Sequence, residues 1–323
     1  MTKTVIVFFF AIIIGLGNNS EFNKKKNFII FKDETANSGL EKYTPSFGAV
    51  FADIDMDGDD DLIVSNHGHY NPSIYLNDKD SFRDVSHLFR LEQTRDWHGI
   101  TVVDLDNDGD KDIAIAGGGG GGVQAGAPNL LYQNLLKETG NLDFIEKAGN
   151  VGMIRQKWRG RHFLPVGNMD GSAVDLYFIC KPRENLKNLY FRNTSFINRI
   201  EMKPDNSFGL DLQLPLDGRG DCFLDFDRDG DRDFFAIDKE HLTVFENINN
   251  HFFRNDTQFV DIDRVETFRF GDLNKDGYPD LYIGTKTKSS GSDNISAGII
   301  NDDRVLHFVV SKNGNDNRDR VEF

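Results

Sequence analysis

Four stretches of the chain place acidic side chains at one repeated spacing. They read DIDMDGDDD from Asp53, DLDNDGDKD from Asp104, DFDRDGDRD from Asp225 and DLNKDGYPD from Asp272, a pattern of D-x-[DN]-x-D-G-x-x-D. Two carboxylates about 4 Å apart near a protein surface repel by roughly 4 kcal/mol. Such a loop therefore either spreads out in water, as charge blocks usually do, or closes around a cation. The glycine at a fixed place favours closure, because it lets the chain turn sharply enough for the oxygens to converge.

Oxygen donors at this spacing suit a hard cation that takes six to eight oxygens at about 2.3–2.6 Å. In the first loop the donors are Asp53, Asp55, Asp57 and Asp61, with the carbonyl of Asp59 as a fifth ligand. In the second they are Asp104, Asp106, Asp108 and Asp112 with Asp110, and in the next clean copy Asp225, Asp227, Asp229 and Asp233 with Asp231. The last copy offers Asp272, Asn274, Asp276 and Asp280 with Tyr278. Calcium fits best: magnesium demands a stricter octahedron with retained water, and zinc selects histidine or thiolate. About four Ca²⁺ ions are expected, and their eight positive charges would take the net charge from −15 to −7. An EF-hand begins the same way but needs a bidentate glutamate at its twelfth position. That position here is Val64, Ile115, Ala236 or Ile283, each inside an apolar run, so the EF-hand is rejected.

The loops belong to a longer repeat. A glycine stands five residues before the first aspartate in three copies, at Gly48, Gly99 and Gly220. Apolar runs follow the loops as LIVS, IAIAG, FFAI and LYIG. Asparagines then recur at Asn77, Asn134, Asn193 and Asn247, and a phenylalanine-containing segment ends most units. A damaged copy, VGNMDGSAVD, carries Gly167 near the place of the first acid and one extra residue before Asp175, and is expected to hold no metal. Each unit of about 47 to 60 residues thus has four short segments rich in Val, Ile, Phe and Tyr, separated by Gly, Asn and Asp. That is strand and turn chemistry. Four strands per unit, repeated radially, predicts an all-β fold, a β-propeller with five detectable blades. The segment FIIFKDETANSGL, residues 28–40, parallels the last strand of a unit and is expected to complete the final blade, with VLHFVVSKN as that blade's third strand. The competing account is a chain that forms part of a larger ring.

The remaining composition narrows the function. With 38% hydrophobic residues and 28 phenylalanines the chain can fill a large core. Its net charge of −15 argues against nucleic acid or an anionic membrane surface as partner. Residues 1–17, with one lysine before an apolar run and small residues at Gly15 and Gly17, have the layout of a secretory signal peptide. Residues 18–323 would then be the propeller, secreted, surface-exposed or periplasmic, with no membrane insertion after signal removal. Cys180 and Cys222 either pair after export or remain buried thiols on separate strands.

The units resemble the FG-GAP/VCBS repeats of integrin-α-like propellers. SFGAVFADIDMDGDDDLIVSN carries the Phe47-Gly48 pair, the acidic loop and the following strand of that family. The order F-x-D-x-T…SG…G-x-x-x-x-D-x-D-x-D-G from Phe31 onward is similar to bacterial relatives of cartilage acidic protein. The resemblance implies calcium held in the hairpin between the first two strands of each blade.

Propeller loops also build binding and catalytic sites, and three groups of acid-base, cationic and aromatic residues could serve in one. His67, His69 and Tyr70 follow one strand, Trp97 and His98 form a second set, and Trp158, Arg159, Arg161 and His162 a third. A lyase would use a histidine or tyrosine as base and arginine against a uronate carboxylate, with a tryptophan stacked on the sugar. The simpler reading makes these residues turn and inter-blade packing groups. The leading expectation is a calcium-binding adhesion module for an extracellular protein or glycan ligand, with no catalytic residue assigned. The alternative is a polysaccharide lyase or hydrolase on the same propeller. Clustering of His67, His69, His98 and Arg161 in one cleft favours the enzyme, and scatter favours the binding module.

Overall fold

Val, Ile, Phe and Tyr flanking each acidic loop fit a pleated surface, and the loops turn these runs back on themselves as hairpins. The computed structural model describes residues 34–35, 37–40, 44–68, 70–79, 81–91, 95–119, 127–153, 159–167, 173–181, 188–210, 220–238, 240–255, 265–272, 279–286, 295–301 and 304–310. Within them lie five antiparallel sheets of four strands each, every sheet built from consecutive strands. The first holds β1 (Ser46–Ala52), β2 (Asp61–Asn66), β3 (Ser73–Asn77) and β4 (Phe82–Asp84). The second holds β5 (Trp97–Val103), β6 (Asp112–Gly117), β7 (Leu130–Asn134) and β8 (Phe144–Glu146). The third holds β9 (Arg159–Val166), β10 (Asp175–Lys181), β11 (Leu189–Asn193) and β12 (Met202–Pro204). The fourth holds β13 (Cys222–Leu224), β14 (Asp233–Asp238), β15 (His241–Asn247) and β16 (Phe252–Asn255). The fifth holds β17 (Val265–Gly271), β18 (Asp280–Lys286), β19 (Ile295–Asn301) and β20 (Arg304–Val310).

Alternation along the second strand of each sheet stacks the sheets in sequence order. Successive strand residues point to opposite faces. In β6, Ile113 and Ile115 pack into the core shared with the first sheet, whereas Ala114 and Ala116 pack into the core shared with the third. In β10, Leu176 and Phe178 face the second sheet while Tyr177 and Ile179 face the fourth. In β14, Phe234 faces the third sheet and Phe235 the fifth. Strands sandwiched in this way read as unbroken apolar runs, which explains LYFIC and FFAI.

The first strands of neighbouring sheets come very close. A Cβ added at Gly99 on β5 would sit 2.1 Å from His162 Nδ1 and 2.6 Å from the Arg161 carbonyl on β9. Glycine is required there by backbone approach, and at Gly220 a Cβ would likewise meet the Phe268 backbone at 3.0 Å, whereas Gly48 has room for one.

One expectation meets a different outcome. β20 pairs with β19 as the fourth strand of the last sheet, from Ile295 opposite Val310 to Asn301 opposite Arg304. The position assigned to the N-terminal segment is therefore filled by the chain's own next hairpin, and that assignment is overturned; residues 28–31 lie outside the described residues. Among the described residues, four cores join the five sheets in a row and none joins the fifth to the first. Residues 1–17, read as a signal peptide, also lie outside the described residues. Among the described residues no helix is long and apolar enough to cross a membrane.

Candidate metal centres

The acidic loops are the β1–β2, β5–β6, β13–β14 and β17–β18 hairpins. In the first, side-chain oxygens of Asp53, Asp55 and Asp57 lie within 4.8 Å of one another; Asp104, Asp106 and Asp108 do the same in the second, and Asp225, Asp227 and Asp229 in the fourth sheet. Two left-handed residues wrap each loop around this point. Gly58, Gly109 and Gly230 have φ of 96°, 99° and 99°, and Met56, Asn107 and Arg228, two residues earlier, have φ of 61°, 57° and 64°. The first carboxylate accepts the glycine N–H, Gly58 to Asp53 and Gly109 to Asp104, both at 3.1 Å. Asp57, Asp108 and Asp229 each accept the N–H two residues on, at 2.9, 2.9 and 3.1 Å.

Those bonds leave other oxygens with nothing. Asp53 Oδ1, Asp104 Oδ1, Asp106 Oδ1, Asp108 Oδ2, Asp225 Oδ1 and Asp231 Oδ1 are buried without a hydrogen-bond partner. Burial, reinforced by the neighbouring carboxylates, pushes the Asp106 carboxyl up to about 7 and that of Asp231 to about 6. A divalent cation would satisfy these oxygens and lower the same charge penalty. The donor chemistry fits calcium.

Glu138, which the repeat spacing did not reveal, joins the second loop. It sits on a one-turn helix, α1 (Leu136–Thr139), and its carboxylate clusters with Asp108 and Asp110. Asp110 brings a buried side chain as well as its carbonyl: Oδ2 accepts the Lys137 N–H at 2.9 Å and Oδ1 has no partner. Gln133 spans the group, donating to Asp106 at 2.7 Å and Glu138 at 3.0 Å.

The last aspartate of the motif stands apart from the three-carboxylate clusters, at the root of the hairpin. Asp61 accepts from Ile54 N–H at 3.0 Å and Asn77 N–H at 2.8 Å. Asp112 accepts from Leu105 N–H at 2.8 Å and Asn134 N–H at 2.9 Å. Asp233 accepts from Asn247 N–H at 3.0 Å. The recurring asparagines thus end the third strand of each of the first four sheets and clip it to the loop. In the damaged copy Asp175 keeps this role, taking Asn193 N–H and the Tyr190 hydroxyl, each at 2.5 Å. Residues 168–172 of that copy, and Asn274, Asp276 and Tyr278 of the last loop, lie outside the described residues; Asp272 and the buried Asp280 flank the latter.

Three of the residues weighed for a lyase site do meet. The His67 and His98 rings stack at 5.3 Å, and Arg161 Nη1 lies 3.4 Å from His98 Nδ1. Asp96, absent from the sequence reading, ties them together: its Oδ1 is 2.7 Å from His67 Nδ1 and its Oδ2 is 3.4 Å from His98 Nε2. His98 is fully buried under the Phe47 ring, 4.1 Å away, and burial pulls its pKa down to about 4. His69 and Trp158 lie outside the described residues. Trp97 is buried in the core between the first two sheets, so it packs the seam and offers no face to a sugar. Cys180 on β10 and Cys222 on β13 are not joined in a disulfide, and burial pushes both thiols up to about 12.

Residues 53–115 and 225–283 match a family described as FG-GAP_3, FG-GAP-like repeat. Those two segments are similar to FG-GAP-like repeats. Each matched FG-GAP-like segment runs from the first aspartate of one loop to the strand residue after the next, Asp53 to Ile115 and Asp225 to Ile283. No curated protein matches the sequence. Among solved structures, an Agrocybe aegerita lectin described as recognising non-reducing terminal N-acetylglucosamine aligns at a TM-score of 0.45 and 14% identity, over 78% of this chain and 62% of that one. The V. cholerae biofilm matrix protein Bap1 aligns at a TM-score of 0.38 and 16% identity, over 80% of this chain and 39% of that one. The chain therefore spans about 62% and 39% of the lengths of these two proteins.

Proposed function

We infer that the chain is a secreted or surface-exposed β-propeller, stabilised by about four calcium ions in its hairpin loops, that binds an extracellular glycan or protein. The observation that carries this reading is the convergence of three carboxylates in each of three loops, with buried oxygens left unpaired. Sheets stacked in sequence order, with glycine at the close approach of first strands, support a ring. The similarity of the order after Phe31 to bacterial relatives of cartilage acidic protein belongs to the same proposal.

A polar groove supplies a surface for the ligand. It encloses about 540 Å³ between the second and third sheets and is lined by Gln133, Lys147, Asn150, Arg199, Glu201 and Lys203 among others. Such a lining suits hydroxyl-rich or charged partners better than apolar ones. Gln133 also bonds Asp106 and Glu138, so calcium in the second loop would fix one wall of the groove.

The clustering of His67, His98 and Arg161 favours a second reading, a polysaccharide lyase or hydrolase. Screening the calcium-loaded chain against a glycan array, and assaying the glycans that bind for unsaturated or reducing-end products, tests both. Binding without turnover, weakened by Arg199→Ala and Glu201→Ala, is the expected result. Product formation lost in His67→Ala would establish the enzyme instead.

A further inference from the structure

We propose that His67, Asp96 and His98 form a site for one divalent transition-metal ion of the zinc class, separate from the acidic loops. One ligand atom from each of the three lies within 4.8 Å of the others. The set is two nitrogens and an oxygen, which selects zinc-like ions over calcium.

The state of His98 points to an ion. Its Nδ1 lies 2.6 Å from the Gly160 carbonyl, which can only accept, so the ring hydrogen is on Nδ1. Nε2 then presents a lone pair, buried and without a hydrogen-bond partner, towards Asp96 Oδ2 at 3.4 Å. Two acceptors facing each other at this distance match two corners of a tetrahedron whose centre is about 2.1 Å from each, the usual zinc–ligand length. A histidine ligand whose other nitrogen donates to a backbone carbonyl is the usual supporting arrangement. Arg161 approaches the Nδ1 side of the ring, away from Nε2.

The space for the ion is kept open by a missing side chain. A Cβ at Gly118 would lie 2.6 Å from His98 Nε2 and 2.8 Å from Asp96 Oδ2, between the two acceptors. The Asp96 carboxylate is held in place by Gly68 N–H at 3.0 Å, and its backbone carbonyl accepts Gly118 N–H at 2.8 Å. His67, with 48% of its side chain exposed, provides the entry side.

The test is zinc chloride titrated into the chain held in saturating calcium, followed by calorimetry and thermal melting, with cobalt(II) as a spectroscopic probe. One equivalent of zinc should bind and raise the melting temperature, and cobalt(II) should give the intense visible bands of a four-coordinate site. His67→Ala, His98→Gln and Asp96→Asn should each weaken zinc at least tenfold while retaining the calcium-dependent melting shift. Gly118→Ala keeps all three ligands but should lose zinc by filling the space. Absence of zinc uptake in the wild type, or uptake unchanged in His67→Ala and Gly118→Ala, overturns the proposal.

Discussion

The side-chain amide of Asn134 donates to the carbonyl of Ile54 at 2.9 Å, crossing from the third strand of the second sheet to the acidic loop of the first. Asn193 does the same one sheet later, reaching Leu105 at 2.8 Å. The first two loops are therefore each clamped by the sheet that follows, and their order is coupled to the stacking of the first three sheets.

Asn134→Ala should lose this clamp and leave the buried carbonyl unpaired, a cost of about 1–3 kcal/mol. Urea denaturation of Asn134→Ala and Asn193→Ala checks it. The double variant should depart from additivity, because Asp112 bonds both Asn134 N–H and Leu105 N–H and so joins the two clamps in one network.

Asp112 and Asp108 should separate structural from metal roles. Asp112 takes two backbone N–H groups at the root of the hairpin. Asp112→Ala should therefore destabilise by about 3 kcal/mol in chelator as well as in calcium. Asp108→Asn keeps the bond its Oδ1 makes and removes one repelling charge. It should melt no lower than wild type in EGTA yet show a reduced calcium response, so paired melts with and without the ion distinguish the two residues.

The acidic loops also set a pH dependence. Burial raises Asp106 to about 7 and Asp110 to about 6, above the ordinary carboxylate value near 3.9. Protonation is then favoured in the fold, so in chelator the stability these groups contribute is present at low pH and lost as pH rises through 6 to 7. Melting in EGTA from about pH 5 to about pH 8 should show wild type falling relative to Asp106→Asn. In saturating calcium the trend should disappear, and calcium affinity should rise over the same interval because the ion displaces these protons.

Much of this architecture is legible in the sequence because it is enforced by local spacing. The loop needs its aspartates and glycine at fixed offsets, so Asp53, Asp104 and Asp225 announce hairpins, and the strand after each follows from apolar runs such as FFAI. Gly99 is visible as a repeated glycine, although its reason, the backbone of Arg161 across the seam, is not. Long-range partners are the hidden part. Asn134 recurs visibly in the repeat, but its acceptor Ile54 lies 80 residues away. Asp96 follows no motif and gains meaning only where the first and second sheets bring His67 and His98 to its two oxygens. The last sheet is ambiguous in the sequence for the same reason: strand propensity marks residues 306–310 as extended without saying whether they pair third or fourth.

Gly99→Ala tests the close approach of first strands. The added methyl would meet the Arg161 carbonyl at 2.6 Å, and backbone cannot move aside as a side chain does. A loss of about 1–3 kcal/mol or more is expected, measured by denaturant unfolding in calcium, whereas alanine at the open Gly48, where the nearest atom is 3.4 Å away, should cost less.

Calcium uptake by the hairpin loops is tested most directly by titrating the ion into metal-free protein in a calorimeter and melting the same samples with calcium and with EGTA. Binding of about four ions, one per clean loop, with a melting temperature several degrees higher in calcium, is the predicted result. Identical melts in the two buffers, with no heat of binding, would contradict it.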